Sequence, residues 1–564
     1  MRKRWKLRPT DDATVQDLQE KLKIHPVFCQ LLVQRNITTY DAAKTFFRPV
    51  LSNLHDPFLM RDMEAAVDRL ETAIRNKERI LLYGDYDVDG TTSVAMMYDF
   101  LSQIHERLDY YIPDRYKEGY GVSMEGVDYA KQNGISLIIA MDCGIKANAK
   151  VAKAKKIGID FIICDHHLPE GKLPDAVAVL DPKRPDCNYP YKELSGAGVT
   201  FKLVQAFCQK HELDSAYWQR LLEFLVISIA ADIVPITGEN RILAYYGLKK
   251  LNCTERPGMK ALIHESRRNH SLVISDIVFG LAPMINAAGR LGDAKQAVRL
   301  MLSDNKFSAY ENAHFLNQKN KLRKEYDQLI AEEAKKMFRD FPDWEKRKSI
   351  VLYQPHWHKG IVGIAASRLV EKYHRPTIIL TESNGKIVGS ARSVKGFNIY
   401  KAVKSCEDLL LNFGGHNFAA GLTLEEDNLE NFRERFEEYV SENLEKDLLI
   451  PEIPISSELD FDSINDKFMK ILKQFAPFGP GNRNPIFATK YVNDTGYSRL
   501  LKGNHLKLSL KQGESETMSG IAFSRGDDLD RVQDHKPFHI CYRVEENNWK
   551  DKRYLQLNVN DIWF

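Results

Sequence analysis

Ile80-Leu-Leu-Tyr-Gly-Asp-Tyr-Asp-Val-Asp-Gly90 is the stretch of sequence that decides the fold. Its opening apolar run has no polar interruption, which is typical of a strand buried on both faces of a parallel sheet. Asp85, Asp87 and Asp89 follow at alternate positions. Because three carboxylates at one strand end raise one another's pKa values, a bound divalent cation is the simplest way to stabilise them.

The same spacing also opens an EF-hand calcium loop. Counted from Asp85, position twelve of that loop is Met96, which cannot supply the bidentate carboxylate that an EF-hand needs. An EF-hand is therefore disfavoured. An acidic turn with solvent-facing charge stays open when the stretch is taken alone, so the neighbouring segments must decide.

The composition is that of a globular protein with several domains. The chain has 564 residues, too many for one core, so about three or four domains are expected. The net charge is only +3, so nucleic-acid binding would need a local basic surface. Eight cysteines occur without a Cys-x-x-Cys pair, which disfavours disulfides and structural zinc and indicates a reducing compartment.

No targeting or membrane segment is predicted. The basic N-terminus, Met1-Arg-Lys-Arg-Trp-Lys-Leu7, lacks the apolar core of a signal peptide. The sequence contains no run of about 18 apolar residues that would cross a membrane. We therefore expect a cytoplasmic protein without a membrane partner.

Strand and helix patterns alternate around the central strand. The predicted strands cover residues 108–112, 137–141, 161–164 and 177–180. The predicted helices cover residues 62–76, 91–103, 124–133 and 146–156. Such alternation indicates right-handed βαβ units, and therefore a parallel sheet that is covered by helices.

Acidic residues and histidines follow these elements where they end. Asp142 follows one predicted strand, the triplet Asp165-His166-His167 follows the next, and Asp232 follows an apolar helix. Because ligands bind outside the carboxyl edge of open α/β sheets, we expect these side chains to share one crevice. Taken singly, each could be a helix cap or part of a polar loop. Together, with no basic residue among them, they would form an anionic pocket that is costly without metal.

This set of ligands favours Mn²⁺ or Mg²⁺ over zinc, because carboxylates dominate and no thiolate is present. There are enough ligands for two ions, with Asp87 or Asp142 as candidate bridges. Two such ions activate water and stabilise both oxygens of an in-line phosphoryl displacement, so phosphoester hydrolysis is the expected reaction. Of His166 and His167, one can bind metal while the other contacts the scissile phosphate or acts as general acid.

Several motifs together resemble the DHH phosphoesterase superfamily. The resemblance starts with Asp165-His-His167, with residues 84–90 and with Met-Asp-Cys-Gly at 141–144. Further similar segments lie at 195–199, 231–241, 286–291, 358–369, 389–393 and 413–421. Over most of residues 50–564, the chain is similar to the superfamily members that are bacterial exonucleases degrading single-stranded DNA from the 5′ end.

The resemblance implies a set of site residues. The implied metal ligands are Asp85, Asp87, Asp89, Asp142, His166 and Asp232, and the implied catalytic residues are Asp142, Asp165 and His167. The implied substrate-binding residues are Arg115, Ser195, Arg290, His358, Ser390, Arg392, Gly415 and His416. Tyr83 stands where some superfamily members have a metal-binding histidine, so the coordination of one ion stays open.

Residues 303–341 are predicted to form one long charged helix that connects two domains. Its basic run at 319–324 either contacts DNA phosphates or is a solvated face, which such runs more often are. After this helix, strands at 349–353 and 377–380 flank another helix, and the pair Asn384-Gly385 is typical of a type I′ hairpin turn.

Glycines around Arg392 would let the backbone approach a ligand, and this arginine can bind a phosphate in a bidentate way. The alternative is a pair of ordinary glycine turns with a surface arginine. The resemblance implies that this is the DHH-associated domain, which faces the metal crevice. It also implies that Ser390 and Arg392, with Arg290 or Arg115, hold a 5′-terminal phosphate.

The pattern changes after the turn-rich residues 477–485, where short alternating strands such as 505–511 predict a small barrel. The aromatic residues of this region are Phe487, Tyr491, Tyr497, Phe523, Phe538, Tyr542, Trp549 and Trp563. About half of them are expected in the core. The others, beside Lys507, Lys511 and Arg543, would suit the stacked bases and phosphates of a single strand. The resemblance implies an OB fold here.

These expectations combine into one architecture of the α/β class. A parallel-sheet DHH domain and an α/β DHH-associated domain are joined by a long helix and followed by a C-terminal β-barrel. The expected units are an N-terminal helical cap on the first domain (1–50), a DHH phosphoesterase domain (51–302), a connecting helix (303–345), a DHH-associated substrate-binding domain (346–450) and an OB-fold nucleic-acid-binding domain (451–564).

The resemblance implies a metal-dependent 5′→3′ exonuclease that hydrolyses single-stranded DNA to mononucleotides, in DNA repair and recombination. Two Mn²⁺ or Mg²⁺ ions per site, a helicase, a single-strand-binding protein and a monomeric state are expected with it. A phosphodiesterase for short oligonucleotides or cyclic dinucleotides is the alternative, although such small substrates need no barrel. A DNA-binding scaffold without activity is disfavoured, because every acidic position of the motifs is occupied.

Overall fold

A computed structural model describes residues 3–549 and 552–564 of the chain. Within this part the strands form four sheets, one of which is a two-stranded pair. The predicted fold class is confirmed, because a parallel-sheet domain, a long helix, a mixed α/β domain and a β-barrel follow one another along the chain. The side chain of Trp549, predicted among the barrel aromatics, lies outside the described residues.

The first domain is built on a five-stranded sheet in which every pair is parallel. In spatial order its strands are Leu108–Tyr111, Ile80–Gly84, Leu137–Met141, Asp160–Cys164 and Ala178–Leu180. All residues of the second of these strands are buried, as the apolar run predicts. Gly84 pairs with Met141, and Met141 pairs with Cys164, so the three central strands end level with one another.

Helices cover both faces of this sheet, and each face has its own apolar cluster. The α-helices are Met63–Arg75, Val88–Leu101, Met124–Gln132, Asn148–Lys156, Gly196–Lys210, Ala216–Gln219, Leu222–Ala231, Gly238–Asn252, Pro257–Glu265, Ile274–Asp276, Ala282–Leu291 and Lys295–Met301. Short 3-10 helices at Leu51–Asn53 and Pro57–Leu59 and a π-helix at Ile277–Leu281 complete the set. The helix Val88–Leu101 begins earlier than predicted because Asp87 caps it, accepting a hydrogen bond from Gly90 N at 3.1 Å.

The helix Lys306–Asp340 runs for 35 residues, close to its predicted range. It packs on the helix Ala282–Leu291 of the first domain and on the helix Val362–Tyr373 of the second. The fully buried carboxylate of Asp327 accepts a hydrogen bond from Arg368 Nη2 at 2.7 Å. This ion pair fixes the second domain on the connecting helix.

The second domain has a five-stranded mixed sheet. In spatial order its strands are Leu410–His416, Ala419–Leu424, Lys386–Arg392, Thr377–Ser383 and Ile350–Tyr353, of which the last two pair in parallel. Its helices are Val362–Tyr373, Ile399–Lys404 and Leu429–Asn443, with 3-10 helices at Glu407–Leu409, Glu426–Asn428 and Lys446–Leu449. Asn384 and Gly385 have φ angles of 54° and 70°, so the predicted type I′ turn is confirmed.

The C-terminal sheet closes into a barrel. In spatial order its strands are Phe487–Asp494, His505–Lys511, Met518–Ala522, Lys552–Trp563 and Phe538–Trp549, and the last pairs again with the first. Shorter elements around it are the strands Ser457–Glu458 and Arg499–Leu501, the helices Asp466–Lys473 and Leu529–Val532, and 3-10 helices at Phe461–Ser463 and Gly526–Asp528. A closed five-stranded Greek-key barrel of this kind is an OB fold, as predicted.

The N-terminal segment shares its apolar core with the barrel and not, as expected, with the first domain, which it contacts where Arg241 donates hydrogen bonds to Phe46 O and Tyr246 Oη donates one to Pro49 O. The strand Arg4–Leu7 pairs in parallel with Glu452–Ile455. The helices that follow are Asp12–Leu22, Pro26–Val33 and Tyr40–Phe47. They share an apolar cluster with the barrel, in which the rings of Phe28 and Phe468 are 4.7 Å apart. An amphipathic pattern predicts an apolar face but not the core against which that face packs.

The aromatic residues of the barrel divide as predicted. Among those with described side chains, Phe487, Phe538 and Tyr542 are buried, whereas Tyr491, Tyr497, Phe523 and Trp563 are exposed. Arg543 lies on a strand that pairs with Phe487–Asp494 and Lys552–Trp563, whereas Lys507 and Lys511 lie on the strand between Arg499–Leu501 and Met518–Ala522, so they are not on neighbouring strands. Among the described residues, no helix is both long enough and apolar enough to cross a bilayer.

Candidate metal centre and anion pocket

Three carboxylates, those of Asp89, Asp142 and Asp232, surround one nitrogen of the His166 ring at the carboxyl edge of the first sheet. With Asp85 and Asp87 they are here called the acid cluster. His166 Nε2 lies 3.2 Å from Asp142 Oδ1, 3.6 Å from Asp232 Oδ2 and 3.7 Å from Asp89 Oδ2. Both ring nitrogens of His166 are buried and have no hydrogen-bond partner among the described residues. Because buried polar groups are normally hydrogen-bonded, a ring nitrogen that faces carboxylates in this way fits a bound cation. Oxygen ligands with one imidazole suit Mn²⁺ or Mg²⁺.

Burial and mutual repulsion disfavour the charged forms of Asp142, Asp232 and Asp85. Burial, followed by the charges of Asp89 and Asp87, raises the pKa values of Asp142 and Asp232 well above their usual range. Burial and the charge of Asp87 raise the pKa of Asp85 to about 8. A cation among these groups would reverse the effect, because a nearby positive charge lowers the pKa of a carboxyl group.

Asp89 is held by the start of the helix Gly196–Lys210. Its Oδ2 accepts a hydrogen bond from Gly196 N at 2.6 Å, and its Oδ1 accepts from the next backbone N–H at 2.8 Å and from Ser228 Oγ at 2.6 Å. A Cβ added to Gly196 would come within 2.5 Å of Asp142 Cβ, so glycine permits this close approach. The helix N-terminus thus stabilises one carboxylate of the cluster directly.

Ser195, predicted to bind substrate, lies behind the cluster instead. The residue is fully buried, its Oγ accepts a hydrogen bond from Gly198 N at 3.1 Å, and the same Oγ lies 2.6 Å from Ser228 Oγ. It is the N-cap of the helix Gly196–Lys210. A buried hydroxyl used as a helix cap is not available to substrate, so this prediction is corrected.

Asp165 organises the loop that carries the two histidines. Its Oδ1 accepts hydrogen bonds from His166 N at 2.7 Å, His167 N at 3.1 Å and His167 Nδ1 at 2.7 Å, and its Oδ2 accepts from Ile145 N at 2.9 Å. Burial raises the pKa of Asp165, but the hydrogen bond and charge of His167 outweigh it and lower the pKa to about 2. Burial lowers the pKa of His167, and the hydrogen bond and charge of Asp165 outweigh that and raise it to about 9.

Tyr83, at the position where some superfamily members have a histidine, supports a neighbouring loop. Its hydroxyl donates a hydrogen bond to Gly121 O at 3.1 Å and accepts one from Ser123 N at 3.0 Å. Its ring stacks on Tyr111 with 5.3 Å between centroids. Because Gly121 N donates to Asp85 Oδ1 at 3.3 Å, the tyrosine helps to place a backbone donor beside the acid cluster.

Four arginines from separate parts of the chain lie near enough for their charges to act on Arg290, and this cluster is here called the anion pocket. They are Arg115, Arg290, Arg323 and Arg392. Burial, followed by the charges of the other three arginines, lowers the pKa of Arg290 to about 10. Burial and the charge of Arg115 also lower the pKa of Arg392. Because guanidinium groups this close repel one another, a bound anion would stabilise the pocket.

The N-terminus of the helix Val362–Tyr373 lies beside this anion pocket at Gly363. Arg392 Nη1 donates a hydrogen bond to Ser390 Oγ at 2.7 Å. A Cβ added to Gly363, in the first helical turn, would lie 2.7 Å from Arg392 Nη2 and 2.9 Å from Ser390 Oγ. Backbone N–H groups at a helix N-terminus bind anions. The sequence did not identify Gly363 as a site residue. It left Arg323 in a basic run that was interpreted as a solvated face, because basic runs on long helices are usually solvated.

His358 lies at the rim of the anion pocket. Its ring stacks on Tyr326 at 5.8 Å between centroids, and its Nδ1 accepts a hydrogen bond from Gly360 N at 3.1 Å. Arg290 Nη1 donates to the carbonyl of the same Gly360 at 2.9 Å. The backbone of Gly360 bonds both His358 and Arg290, and it thus places the predicted residue His358 beside the arginines.

Gly415 and His416 lie at the same end of the second sheet as Arg392. His416 pairs with Ala419, and Ala419 pairs with Arg392, so the histidine is two strand spacings away, about 10 Å. The strand that carries Gly415 and His416 is at the edge of the sheet, and both residues are exposed. They border the pocket without joining the arginine cluster.

Two tyrosines connect the acid cluster to the anion pocket. The guanidinium of Arg115 lies over the Tyr86 ring, 4.8 Å from its centroid. The Tyr86 ring lies 6.4 Å from that of Tyr120, whose hydroxyl is 3.1 Å from His167 Nε2. Two aromatic rings therefore connect the guanidinium of Arg115 to the half-buried His167 beside the acids.

Comparisons with known proteins agree with this architecture. The DHH family, N-terminal domain, matches residues 79–229, the DHHA1 domain matches residues 346–442 and the RecJ OB domain matches residues 455–561. The crystal structure of RecJ in complex with Mn²⁺ from Thermus thermophilus has a TM-score of 0.85 at 26% identity, covering 99% of this chain and 79% of that chain.

Curated relatives are similar over nearly the whole chain. The single-stranded-DNA-specific exonuclease RecJ of Bacillus subtilis (strain 168) is 35% identical over 99% of this chain and 70% of its own length. The protein of the same name from Escherichia coli (strain K12) is 34% identical over 89% of this chain and 90% of its own length. The predicted membership of the DHH superfamily is thereby confirmed, and the chain belongs to the RecJ family.

Proposed function

We propose that the chain is a metal-dependent 5′→3′ exonuclease that hydrolyses single-stranded DNA to mononucleotides, in DNA repair and recombination. Its relatives from Bacillus subtilis and Escherichia coli are named single-stranded-DNA-specific exonucleases. The observation that carries the proposal is His166 Nε2, which has no hydrogen-bond partner in the described part of the chain and faces three carboxylates beside a pocket of arginines. A cation site next to an anion pocket is what hydrolysis of a charged phosphodiester end requires.

The proposed ligands of two Mn²⁺ or Mg²⁺ ions are Asp85, Asp87, Asp89, Asp142, His166 and Asp232. Solved RecJ structures from Thermus thermophilus are complexes with Mn²⁺ and with Mg²⁺. When bound, such ions supply Lewis-acid activation of a water molecule and compensate charge at the phosphate. The carboxylates supply the negative charge that holds the ions, and the Gly196–Lys210 helix and Ser228 hold one of those carboxylates in place.

His167 is the proposed contact to the scissile phosphate. Asp165 occupies Nδ1 of its ring, so the ring presents Nε2 towards Tyr120 and the exposed side of the cluster. A cationic imidazole donates a hydrogen bond to a phosphate oxygen there. Asp165 acts through His167 and through the loop backbone, and we therefore assign it as a positioning residue and not as a catalytic one.

The anion pocket is the proposed site of the 5′-terminal phosphate. Arg115, Arg290, Arg392 and Ser390 would hold its oxygens, together with the backbone N–H of Gly363 at the start of the helix Val362–Tyr373. With the 5′ end anchored beside the acid cluster, hydrolysis begins at the chain end. This arrangement accounts for exonuclease rather than endonuclease action.

The barrel is the proposed platform for the following nucleotides. Lys507 pairs across strands with Arg499, and the exposed ring of Phe523 lies 5.2 Å from that of His505. Cations beside exposed rings suit the phosphates and stacked bases of a single strand. We propose this group in place of the predicted grouping of Lys507 with Arg543, because Arg543 is on a strand that does not neighbour the strand of Lys507.

We also propose a division into residues 51–302, 303–345, 346–450 and 451–564, with residues 1–50 attached to the last unit by their shared apolar cluster.

A monomer is proposed, and light scattering tests it. A helicase and a single-strand-binding protein are the proposed partners in the cytoplasm, because an enzyme confined to unpaired strands depends on opened duplexes. Faster degradation of duplex DNA after a helicase is added would support that partnership.

End-labelled oligonucleotides test the activity itself. We expect a 5′-phosphorylated single strand to be degraded to mononucleotides with Mn²⁺ or Mg²⁺ and to survive in excess chelator. A blunt duplex of the same sequence should be degraded much more slowly. Hydrolysis that persists in chelator would refute the metal assignment. Turnover confined to dinucleotides, with long strands left intact, would favour the phosphodiesterase alternative.

A further inference from the structure

A tight turn at residues 477–482, here called the junction loop, enters the C-terminal barrel domain. Gly479 and Asn482 exchange backbone hydrogen bonds of 3.0 Å in both directions. Pro480 stands at the second position of the turn and Gly481, with φ 71°, at the third. Proline followed by a residue with positive φ is typical of a type II β-turn. The sequence predicted only a domain boundary here.

The junction loop packs against residues 232–238, the segment that follows the proposed ligand Asp232. Ile236 N donates a hydrogen bond to Pro480 O at 2.7 Å. A Cβ added to Gly479 would lie 2.5 Å from Cγ1 of Ile236, which is fully buried. A Cβ added to Gly481 would meet the side chain of Thr237 at 2.9 Å. The two glycines therefore let the loop backbone lie directly on this segment.

The segment needs such support because its backbone is strained. Ile233, next to Asp232, has φ 60°, and a β-branched residue rarely adopts the left-handed region. Conformations of this kind are unfavourable and persist only where the surroundings hold them. The Ile233 side chain is 63% exposed, so its own packing supplies little of that support. The support must come from the residues on either side.

Those residues are held from two directions. On the side of the first domain, Pro235 O accepts hydrogen bonds from Tyr191 Oη at 3.2 Å and from Asn240 Nδ2 at 3.0 Å. On the other side lies the junction loop, which is itself held by Asn482. The Asn482 amide donates to Pro477 O at 2.8 Å and accepts from Arg35 Nε at 2.6 Å. The loop is thus a rigid support and not a flexible linker.

We propose that the junction loop is a positioning element for the metal centre: the C-terminal domain, through Gly479, Pro480 and Gly481, fixes the backbone that aims the Asp232 carboxylate at His166. The barrel domain then supports metal binding in addition to holding DNA. This inference rests on the proposed function only in taking Asp232 as a metal ligand. Residues that orient a ligand contribute to metal affinity although they never touch the ion.

Gly479→Ala in the full chain tests the proposal. The added methyl group should push Ile236, and with it the Asp232 backbone, out of place. We expect Mn²⁺ binding, followed by the electron paramagnetic resonance signal of the free ion, to weaken by about 10- to 100-fold. Affinity for single-stranded DNA, measured by fluorescence anisotropy without metal, should stay within about twofold. A purely structural role of the loop would leave Mn²⁺ affinity unchanged in the folded variant.

Ile236→Ala gives the complementary change. Alone, it leaves a cavity against Gly479 and should also weaken Mn²⁺ binding, which keeps the proposal testable if Gly479→Ala does not fold. Combined with Gly479→Ala, it makes room for the added methyl group and should restore most of the affinity, giving a coupling in the double-mutant cycle. Additive losses in the double variant would overturn the proposal.

Two controls separate the possible failures. Gly513→Ala places alanine at φ 55° in the same domain with nothing within 4 Å, and it should leave Mn²⁺ affinity unchanged. Asp232→Asn should weaken Mn²⁺ binding if this carboxylate is a ligand. Unchanged binding in Asp232→Asn would refute the ligand assignment. Weakened binding there, with unchanged binding in Gly479→Ala and in Ile236→Ala, would refute the role of the loop alone.

Discussion

The acid cluster and the anion pocket are assembled in different ways. Asp85, Asp142 and His166 follow neighbouring strands of one sheet that end level with one another, and Asp232 follows the helix Leu222–Ala231 of the same domain. The four arginines come from a loop, a helix end, the connecting helix and a strand of the second domain. Sheet topology therefore builds the cation site within one domain, whereas the anion pocket exists only when both domains dock on the connecting helix.

Removing one acid should have the largest effect and tests the cation site alone. Asn tolerates the left-handed backbone at Asp142, φ 60°, so Asp142→Asn removes charge without changing shape. We expect kcat on a 5′-phosphorylated single strand to fall by roughly 10³-fold or more, measured by release of labelled mononucleotide. DNA affinity without metal should change little, since the anion pocket and the barrel are untouched.

The matched control is Asp175→Asn, an exposed carboxylate of the same domain that pairs with Lys155 at 2.6 Å. It should retain full activity. If Asp142→Asn hydrolysed DNA at the rate of this control, Asp142 would not belong to a metal site. The interpretation of the acid cluster as a cation site would then be refuted.

Removing a guanidinium tests the anion pocket. Arg392→Gln should reduce kcat/KM by about 10- to 100-fold on 5′-phosphorylated strands, because one charge-assisted contact contributes about 1.5–3 kcal/mol. Strands with a 5′-hydroxyl lack the anion and should be affected far less. Rates on the two substrates, measured side by side, give the comparison.

Arg435→Gln serves as the control in this second domain, because that arginine is on the surface and pairs with Asp408. An equal loss on both substrates in Arg392→Gln would show that the arginine does not read the end phosphate. The polarity of the enzyme would then need another explanation.

The cation site was predictable from sequence because its determinants are local. Buried apolar runs define strands, and the residue after each run lies at the carboxyl edge of the sheet, where Asp142 and His166 are found. Asp165 and Ser195 were identified from the motifs, but the hydrogen bonds of Asp165 to its loop and the capping of a helix by Ser195 were not predicted. Their side chains bond backbone N–H groups, and residue spacing does not reveal which partner a polar side chain chooses.

The anion pocket and the domain contacts were less accessible to sequence reasoning. Arg323 lies in a basic run whose pattern is the same whether it faces solvent or another domain. The N-terminal helices show an apolar face, yet nothing in that pattern distinguishes the first domain from the barrel as partner. Contacts between segments hundreds of residues apart depend on tertiary docking, which periodicity does not report.

A smaller effect is expected for Arg323→Gln, which asks whether the connecting helix contributes to the anion pocket. Arg323 acts on Arg290 through charge and bonds Asn320 Oδ1 at 3.1 Å. We expect KM for 5′-phosphorylated strands to rise about three- to tenfold with kcat nearly unchanged, because a neighbouring charge that assists binding contributes about 1 kcal/mol. The control is Lys321→Gln, on the exposed face of the same helix. An equal KM in both variants would show that the connecting helix does not contribute to the anion pocket.

The smallest effect on activity is expected at Ser195, where the structure replaces a predicted substrate contact with a buried helix cap. Ser195→Ala removes the acceptor for Gly198 N and should lower the free energy of unfolding by about 1 kcal/mol, measured by urea denaturation. KM for DNA should stay within about twofold, because the hydroxyl does not reach the crevice. Thr39→Ala, which removes the cap of a helix far from the site, should show the same stability loss and unchanged kinetics. A raised KM in Ser195→Ala without loss of stability would instead support Ser195 as a substrate-binding residue. Because its hydroxyl is buried here, the N-terminus of the helix Gly196–Lys210 would then have to shift when DNA binds.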